Sequence, residues 1–425
     1  MKIAIVGSGI AGLVAAHRLH REHEVTVFEA GDHVGGHTHT HDVEQDGRRY
    51  AVDTGFIVFN HRTYPNFVRL LEELGVESQD SAMSFSVRDE ESGLEYNGTT
   101  LNTLFAQRLN LLRPSFLGMV RDILRFHKEA PAILARPGAE VPLRDVLLKG
   151  NYGEAFVRHY IVPMGAAIWS TDPRRMLDFP ARFFIRFLDN HGMLTVNDRP
   201  VWRTIRGGSA RYVEKLTAGF TRRIRTRTPV EGIRRLPGSV MVRAGGEHAE
   251  RFDAVFLACH SDQALRLLAD PSPEEREVLG AIPYQRNEAV LHTDLRLLPR
   301  RKLAWAAWNY HVLPRMLSEG GPAALTYNMN ILQRLDAPTP FLVTLNRTDA
   351  IDPAKVIKVI EYHHPLFTPA GVAAQARQAE LNRGRRTYYC GAWWRNGFHE
   401  DGVVSALEAV RHFEADAALD RRDAA

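Results

Sequence analysis

The stretch Met1-Lys2-Ile3-Ala4-Ile5-Val6-Gly7-Ser8-Gly9-Ile10-Ala11-Gly12 decides how this chain is read. Its first six residues are a short apolar run of the kind that makes a buried strand, and the glycines follow at once. Residues 13–19 carry a helical pattern, and Glu24-Val25-Thr26-Val27-Phe28 is a second strand, ending on Glu29. Strand, glycine turn, helix and strand form a unit built to bind a dinucleotide diphosphate. Gly7 allows the tight turn, Gly9 lets backbone approach a pyrophosphate, and Gly12 lets the helix pack close on the strand. The helix N-terminus, with Ser8, Ile10 and Ala11, points free N–H groups at the anion. Glu29 can accept from a ribose 2′-OH, which favours an unphosphorylated ribose.

The bulk numbers bound the rest. At 425 residues the chain exceeds one ordinary core, so two domains are expected. A hydrophobic content of 44% with 24% charged residues is that of a water-soluble globular protein. No apolar run approaches the ~18–20 residues of a membrane span. The apolar start is too short for a signal peptide and already reads as the first strand. Two cysteines, Cys259 and Cys390, argue against a disulfide framework and fit a reducing cytosol. The expected location is therefore cytoplasmic. The net charge is +4, with no lysine-rich tract or nucleic-acid motif, so no nucleic-acid partner is expected.

The segment Glu29-Ala30-Gly31-Asp32-His33-Val34-Gly35-Gly36-His37 resembles the extended fingerprint of a flavoprotein superfamily. That superfamily includes amine oxidases, phytoene desaturases and protoporphyrinogen oxidase. The resemblance implies FAD as cofactor, with the Gly35-Gly36 loop passing over its pyrophosphate. The usual arginine after the glycine pair is His37 here, followed by Thr38-His39-Thr40-His41. In the same superfamily an acid-x-Gly element, here Asp53-Thr54-Gly55, runs beside the isoalloxazine. The resemblance also implies a valine whose backbone meets adenine, assigned to Val230 on the strand expected at 224–230. A final glycine turn at Gly391 leads to a helix expected to start after Gly402, so that Gly402, Val403 and Val404 face the flavin. The acid usual after that first glycine is Ala392 here.

These segments imply an α/β fold. It has a Rossmann-type FAD-binding domain plus an inserted α+β substrate domain with an antiparallel sheet. The FAD domain is expected to be discontinuous, over 1–75, 203–280 and 380–425. The substrate domain takes 76–202 and 281–379. Residues 64–74 read as a helix closed by Gly75, and Ser209 reads as the N-cap of another. Strands are read at 84–88, 288–292, 304–308, 324–328 and 341–345. Residues 101–134 read as a long helical block, apolar on one side with interleaved arginines and broken at Pro114. That block is expected to border the substrate entrance. Two readings of it stay open, an ordinary packed helix or a basic amphipathic face touching an anionic membrane at its inner surface.

Several residues carry two readings. His37, His39 and His41 suit loop contacts to FAD or substrate, or plain structural roles; a metal site is disfavoured by their spacing. His399-Glu400-Asp401 precedes the expected flavin-facing helix. His399 is the candidate general base on a loop open to substrate, against the alternative of a structural histidine with helix-capping carboxylates. His292 is the second catalytic candidate. Lys302 sits where an amine-oxidase lysine could be imitated, but Arg300-Arg301-Lys302 reads as a solvated turn. Trp305, Trp308, Tyr310, Tyr327, Trp393 and Trp394 could form an aromatic cage or simple core.

Over nearly its whole length the chain is similar to a bacterial group of FAD-dependent amine-oxidase-like proteins. The similarity is carried by Asp53-Thr54-Gly55-Phe56-Ile57-Val58-Phe59-Asn60, Pro163-Met164-Gly165-Ala166-Ala167-Ile168-Trp169-Ser170, Trp202-Arg203-Thr204 and Ala392-Trp393-Trp394-Arg395-Asn396-Gly397-Phe398-His399. The same module is similar to the N-terminal half of plant cyclopropane fatty acid synthases, and to desaturases of methyl-branched and furan fatty acids. This implies oxidation or reduction of an unsaturated, methyl-branched fatty acyl or phospholipid chain, with a lipid methyltransferase as a partner. An amine- or carotenoid-type oxidoreductase and a flavin-binding accessory protein are the alternatives.

Overall fold

The computed structural model describes residues 1–135, 140–195, 199–246, 248–314 and 316–423. The apolar N-terminal run makes the strand Lys2–Val6, central in a five-stranded parallel sheet. Glu24–Phe28 and Ala254–Leu257 flank it, with Ile224–Arg225 and Thr387–Tyr389 at the edges. Every strand but the edge strand Ile224–Arg225 is buried on both faces over most of its length, which is why the inner strands read as apolar runs. One face packs on helices Ile10–Leu19 and His399–Asp423 through Leu13, Val14, Ala406 and Phe413. The other packs on a three-stranded antiparallel sheet, Val230–Leu236, Ser239–Ala244 and Glu250–Phe252.

A second, seven-stranded sheet has the order Val356–Pro365, Tyr284–His292, Leu342–Leu345, Ala324–Asn328, Trp308–Val312, Phe85–Asp89 and Glu95–Asn97. It is mixed rather than wholly antiparallel, because Trp308–Val312 pairs in parallel with Phe85–Asp89. The strand expected at 304–308 begins only at Trp308; a 3-10 turn, Lys302–Ala304, precedes it. Helices Pro114–Ala135, Val162–Trp169 and Ala181–Asn190 pack against this sheet through a core that includes Phe126, Phe156, Phe184, Tyr310 and Leu325.

The block 101–134 divides into Leu101–Leu104, a 3-10 turn Arg108–Leu112 and Pro114–Ala135. Pro114 opens the long helix instead of breaking one. In the first turn its missing N–H has no intrahelical acceptor to lose. Among the described residues no helix is long and apolar enough to cross a membrane.

Candidate active site

A cavity of about 670 Å³ runs from the Gly7–Gly12 turn to an aromatic end between the two sheets. At the turn, each glycine has a distinct physical reason. Gly7 has φ +103°, and a Cβ there would sit 2.8 Å from the Ala258 carbonyl oxygen of the neighbouring strand. A Cβ on Gly12 would overlap the Gly7 carbonyl, so only glycine lets the helix sit this close. A Cβ on Gly9 would meet nothing within 4 Å. The space above Gly9 is open, and it faces the uncapped N-terminus of Ile10–Leu19, whose cap residue supplies no side-chain hydrogen bond. Open volume beside unsatisfied N–H groups is what a pyrophosphate requires.

Two further features complete the nucleotide end. The Glu29 carboxylate accepts from the Ser8 N–H at 3.0 Å, from Ser8 Oγ at 2.5 Å and from the Gly31 N–H at 2.8 Å. Its remaining lone pairs can take a ribose hydroxyl. The second glycine loop lies against the first. Gly9 bridges to Gly35, and a Cβ on Gly36, at φ +59°, would sit 3.0 Å from Gly9 Cα. The residues present therefore fit a flavin dinucleotide. Of the predicted contacts, Gly7, Ser8, Gly9, Ile10, Ala11, Glu29, Gly35, Gly36, His37, Gly55, Val230 and Gly391 line the cavity.

Other predicted residues stand elsewhere, each for a visible reason. Gly12 packs the helix. The Asp53 carboxylate is wholly buried and accepts from the Ser209 N–H at 2.9 Å, Ser209 Oγ at 2.8 Å, Thr40 Oγ1 at 2.5 Å and the Gln333 amide at 2.9 Å. It caps the helix Ala210–Thr217, a job expected of the Ser209 side chain, which makes no cap bond. Burial pushes the Asp53 pKa up to about 6. Thr54 Oγ1 donates to the His39 carbonyl at 3.1 Å and meets Tyr362 OH at 2.9 Å. The last helix begins at His399, four residues earlier than expected, so Gly402 lies in its first turn. There its missing Cβ makes room for Ile10. Val403 is core, and neither it nor Val404 lines the cavity.

The two catalytic candidates are both built into hydrogen-bonded packing. His399 is in a helix, not an open loop, and only 8% exposed. Its Nε2 lies 2.9 Å from Thr38 Oγ1 and 3.0 Å from Tyr212 OH, and its ring stacks on Phe56 at 3.5 Å. Burial holds its pKa well below the ordinary histidine range. Thr38 is thereby a partner of His399 rather than a cavity residue. Glu400 and Asp401 are capping carboxylates. Asp401 accepts from the Phe398 N–H at 2.9 Å, and Glu400 from the Asn66 and Phe67 N–H groups of the helix Pro65–Glu73. His292 lies in the seven-stranded sheet, away from the cavity. Its Nδ1 accepts from the Asp294 N–H at 3.0 Å, so Nε2 carries the proton and donates to Thr344 Oγ1 at 2.7 Å. Lys302 is exposed over Trp305 and does not reach the cavity.

Where the cavity turns from polar to apolar, the wall carries imidazoles. His37 stacks on Tyr362 at 4.9 Å and lies 5.3 Å from the His364 ring. Its Nε2 is closed off from solvent and has no hydrogen-bond partner in the protein. Burial first, and then the neighbouring His363, pushes its pKa down to about 4. His364 Nδ1 lies 2.8 Å from Asn287 Nδ2, which leaves Nε2 as its protonated nitrogen, and burial pushes its pKa down to about 3. His260 and His363 complete the group on the cavity wall. Among the described residues no group of three or more His, Cys, Asp or Glu is placed to hold a metal ion.

Beyond the imidazoles the lining includes Ile57, Val58, Met83, Trp169, Phe187, Met193, Trp308, Tyr327, Phe367 and Phe398, with Ser170 and a further imidazole, His191, stacked on Phe187. Phe187 stacks on Phe398 at 5.1 Å, and Trp308 faces Tyr327 across adjacent strands. Of the aromatic residues singled out in the sequence, Trp308, Tyr327 and Trp393 line the cavity, whereas Trp305, Tyr310 and Trp394 do not. Among the described residues Glu29 and Arg266 are the only acidic, lysine or arginine side chains in the lining, and both stand at the nucleotide end. No residue of 101–134 contributes to the wall. His260, His363, His364, Phe187 and Phe367 were not marked by sequence reasoning. None stands in a spacing motif; His363 and His364 come from the strand Val356–Pro365, and the others reach the cavity from separate segments.

Comparison with known proteins bears on this site. A family model described as flavin containing amine oxidoreductase matches residues 10–302. The carotenoid phi-ring synthase of Streptomyces griseus is 28% identical over 314 residues, covering 68% of this chain and 57% of the synthase. The chain thus spans little more than half the length of that relative. Among solved structures, cyclohexylamine oxidase from Brevibacterium oxydans IH-35A superposes with a TM-score of 0.70 at 16% identity, covering 97% of this chain and 99% of the oxidase. A CLA-producing fatty acid isomerase from P. acnes superposes with a TM-score of 0.66 at 18% identity, covering 97% and 98% of the two chains. At these identities the likeness is one of fold.

Proposed function

Because the chain belongs to the flavin containing amine oxidoreductase family, we propose that it is an FAD-dependent oxidoreductase acting on an unsaturated, methyl-branched fatty acyl chain. The observation that carries this reading is the aromatic end of the cavity, where the lining holds no Lys, Arg, Asp or Glu among the described residues. An amine substrate is a cation at neutral pH, and burying it there without a carboxylate would be costly. A neutral hydrocarbon chain is favoured by the same surface through apolar burial. The carotenoid phi-ring synthase supports a second reading of the same kind, a carotenoid-type substrate, because the lining suits any neutral hydrocarbon.

The Gly7–Ala11 turn, Glu29, the Gly35–His37 loop, Val230 and Gly391 would hold FAD. Bound FAD supplies hydride acceptance or delivery at a C–H bond. Trp169, Phe187, Phe367 and Phe398 exclude water and align the chain, so that an allylic C–H beside its double bond is presented. An isolated methylene leaves an unstabilised cation on losing hydride, whereas an allylic position delocalises the charge. Loss of one proton from the carbon next to the allylic cation then gives a conjugated diene. His37 is the group assigned to receive that proton at Nε2, because it is neutral and its nitrogen is unclaimed. Reduction runs the same transfers in the opposite order. His399, with Nε2 already between two hydroxyls, positions Thr38 and Tyr212.

Anaerobic mixing with total cell lipid tests the reading. Bleaching of the oxidised flavin by lipid and not by amines supports it, and mass spectrometry of the acyl chains gives the direction. Bleaching by amines alone overturns the acyl reading. Bleaching by dithionite alone points to an accessory role beside a lipid methyltransferase.

A further inference from the structure

We propose that the turn and helix face around residues 101–128 is a docking surface for an anionic lipid bilayer. Single exposed leucines are ordinary on a protein surface, but a contiguous apolar patch marks an interaction site. Here Leu101, at the start of the helix Leu101–Leu104, is 76% exposed, and in the 3-10 turn Arg108–Leu112 that follows Leu109 is 69%, Leu111 51% and Leu112 80% exposed. The region is held rather than loose. Arg108 donates to the Asn102 and Phe105 carbonyls, and Gln107 to the Gly93 carbonyl.

The helix Pro114–Ala135 continues the same surface. Its inner face buries Phe116, Met119, Phe126 and Ala130. On its outer face Leu117, Arg121, Leu124 and Lys128 are all exposed. Their spacing of four, three and four residues sets them in one stripe along the helix. Leucines alternate with bases, a pattern that inserts apolar side chains at the lipid boundary while cationic heads reach the phosphates. Charge selects this occupant over a second copy of the chain. Residues 101–129 hold Arg108, Arg113, Arg121, Arg125 and Lys128 against two acids: Asp122, which is buried and pairs with Arg121 and Arg125, and Glu129, which accepts from Tyr152 OH, so the face keeps a net positive charge. Two copies meeting through this face would oppose like charges, whereas an anionic bilayer complements them.

The inference is independent of the substrate reading, and its test uses lipids without a double bond. FAD-loaded protein is floated with vesicles of saturated phosphatidylcholine, alone or mixed equally with saturated phosphatidylglycerol. Binding to the anionic vesicles that weakens with added salt is the expected result. Leu111→Ser with Leu112→Ser should lower vesicle affinity roughly ten-fold or more. Arg113→Gln with Arg121→Gln should lower it by roughly ten- to thirty-fold at low salt and flatten the salt dependence. Both pairs lie on the surface, so bound flavin and the thermal midpoint should match the wild type. Equal flotation of the leucine pair and the wild type overturns the proposal. So does a wild-type dimer that ignores vesicles and becomes monomeric in the leucine pair, which would make the face a self-association surface.

Discussion

Glu400, in the first turn of the last helix, accepts the backbone N–H of Phe67 at 2.9 Å, across 333 residues of chain. Its other oxygen takes the N–H and the side-chain amide of Asn66 at 3.1 and 2.6 Å. One buried carboxylate thus satisfies the N-terminus of Pro65–Glu73 and fixes that helix to the end of the chain. Glu400→Ala leaves those donors without an acceptor. We expect a loss of about 1–3 kcal/mol by denaturant unfolding, with FAD binding at saturation unchanged. A variant as stable as the wild type would show that water replaces the cap.

The glycines of the first turn should separate by role. Gly9→Asp should fold normally, because its Cβ position is open, yet fail to retain FAD, because a carboxylate would face the pyrophosphate. Gly12→Ala should instead lower stability by roughly 1–3 kcal/mol, since its methyl overlaps the Gly7 carbonyl. Flavin absorbance of the purified protein and thermal melting distinguish the two. Yellow Gly9→Asp protein would remove the turn from the cofactor site.

Two of the histidines that line the cavity, His37 and His399, should also part company. His37→Asn should keep FAD and lower turnover by roughly 10²–10⁴, the scale of losing an acid or base. His399→Asn should chiefly cost stability, because stacking on Phe56 and two hydroxyl contacts are lost. Single-turnover flavin reduction beside melting curves reads both. If His399→Asn slows reduction by the larger factor at unchanged stability, the assignments reverse.

Stability should fall on acidification because several histidines are buried as neutral rings. His292, fully buried, has its pKa pushed down to about 4 by desolvation, from an ordinary 6.5. Above pH 6.5 it is neutral in both states and its contribution is whole. Below 6.5 the unfolded chain takes up a proton that the folded protein refuses until about pH 4, so stability is lost across that window. His37, His191, His260, His364 and His399, all with pKa values lowered first by burial, act in the same direction and outnumber the groups that oppose them. Asp53 and Asp401, whose pKa values burial raises to about 6 and about 7, act oppositely and lose stabilisation as pH rises through those values. Unfolding free energies from pH 4 to 7 should therefore rise with pH. His292→Gln should reduce that slope by up to about 1.4 kcal/mol per pH unit. An unchanged slope would mean that His292 titrates normally in the fold.

The sequence by itself determined the nucleotide end of this protein. Lys2–Val6, the Gly7–Gly12 turn, Ile10–Leu19 and Glu29 are legible because their causes are local. Gly7 stands where φ is positive, Gly12 where a Cβ would collide and Gly9 beside open space, and the apolar runs follow strand and helix periods. Tertiary structure alone decided what the polar residues further along do. Asp53 became a cap because Ser209 arrives from 156 residues away, and His292 became a sheet histidine because Thr344 stands beside it. His399 lost its open loop when Thr38, Phe56 and Tyr212 closed around it. The apolar end of the cavity is likewise a product of assembly, built from Trp169, Phe187, Trp308, Phe367 and Phe398 on five separate segments. A carboxylate or imidazole takes its role from its dielectric and its hydrogen-bond partners, and both are supplied by distant segments that only folding brings near.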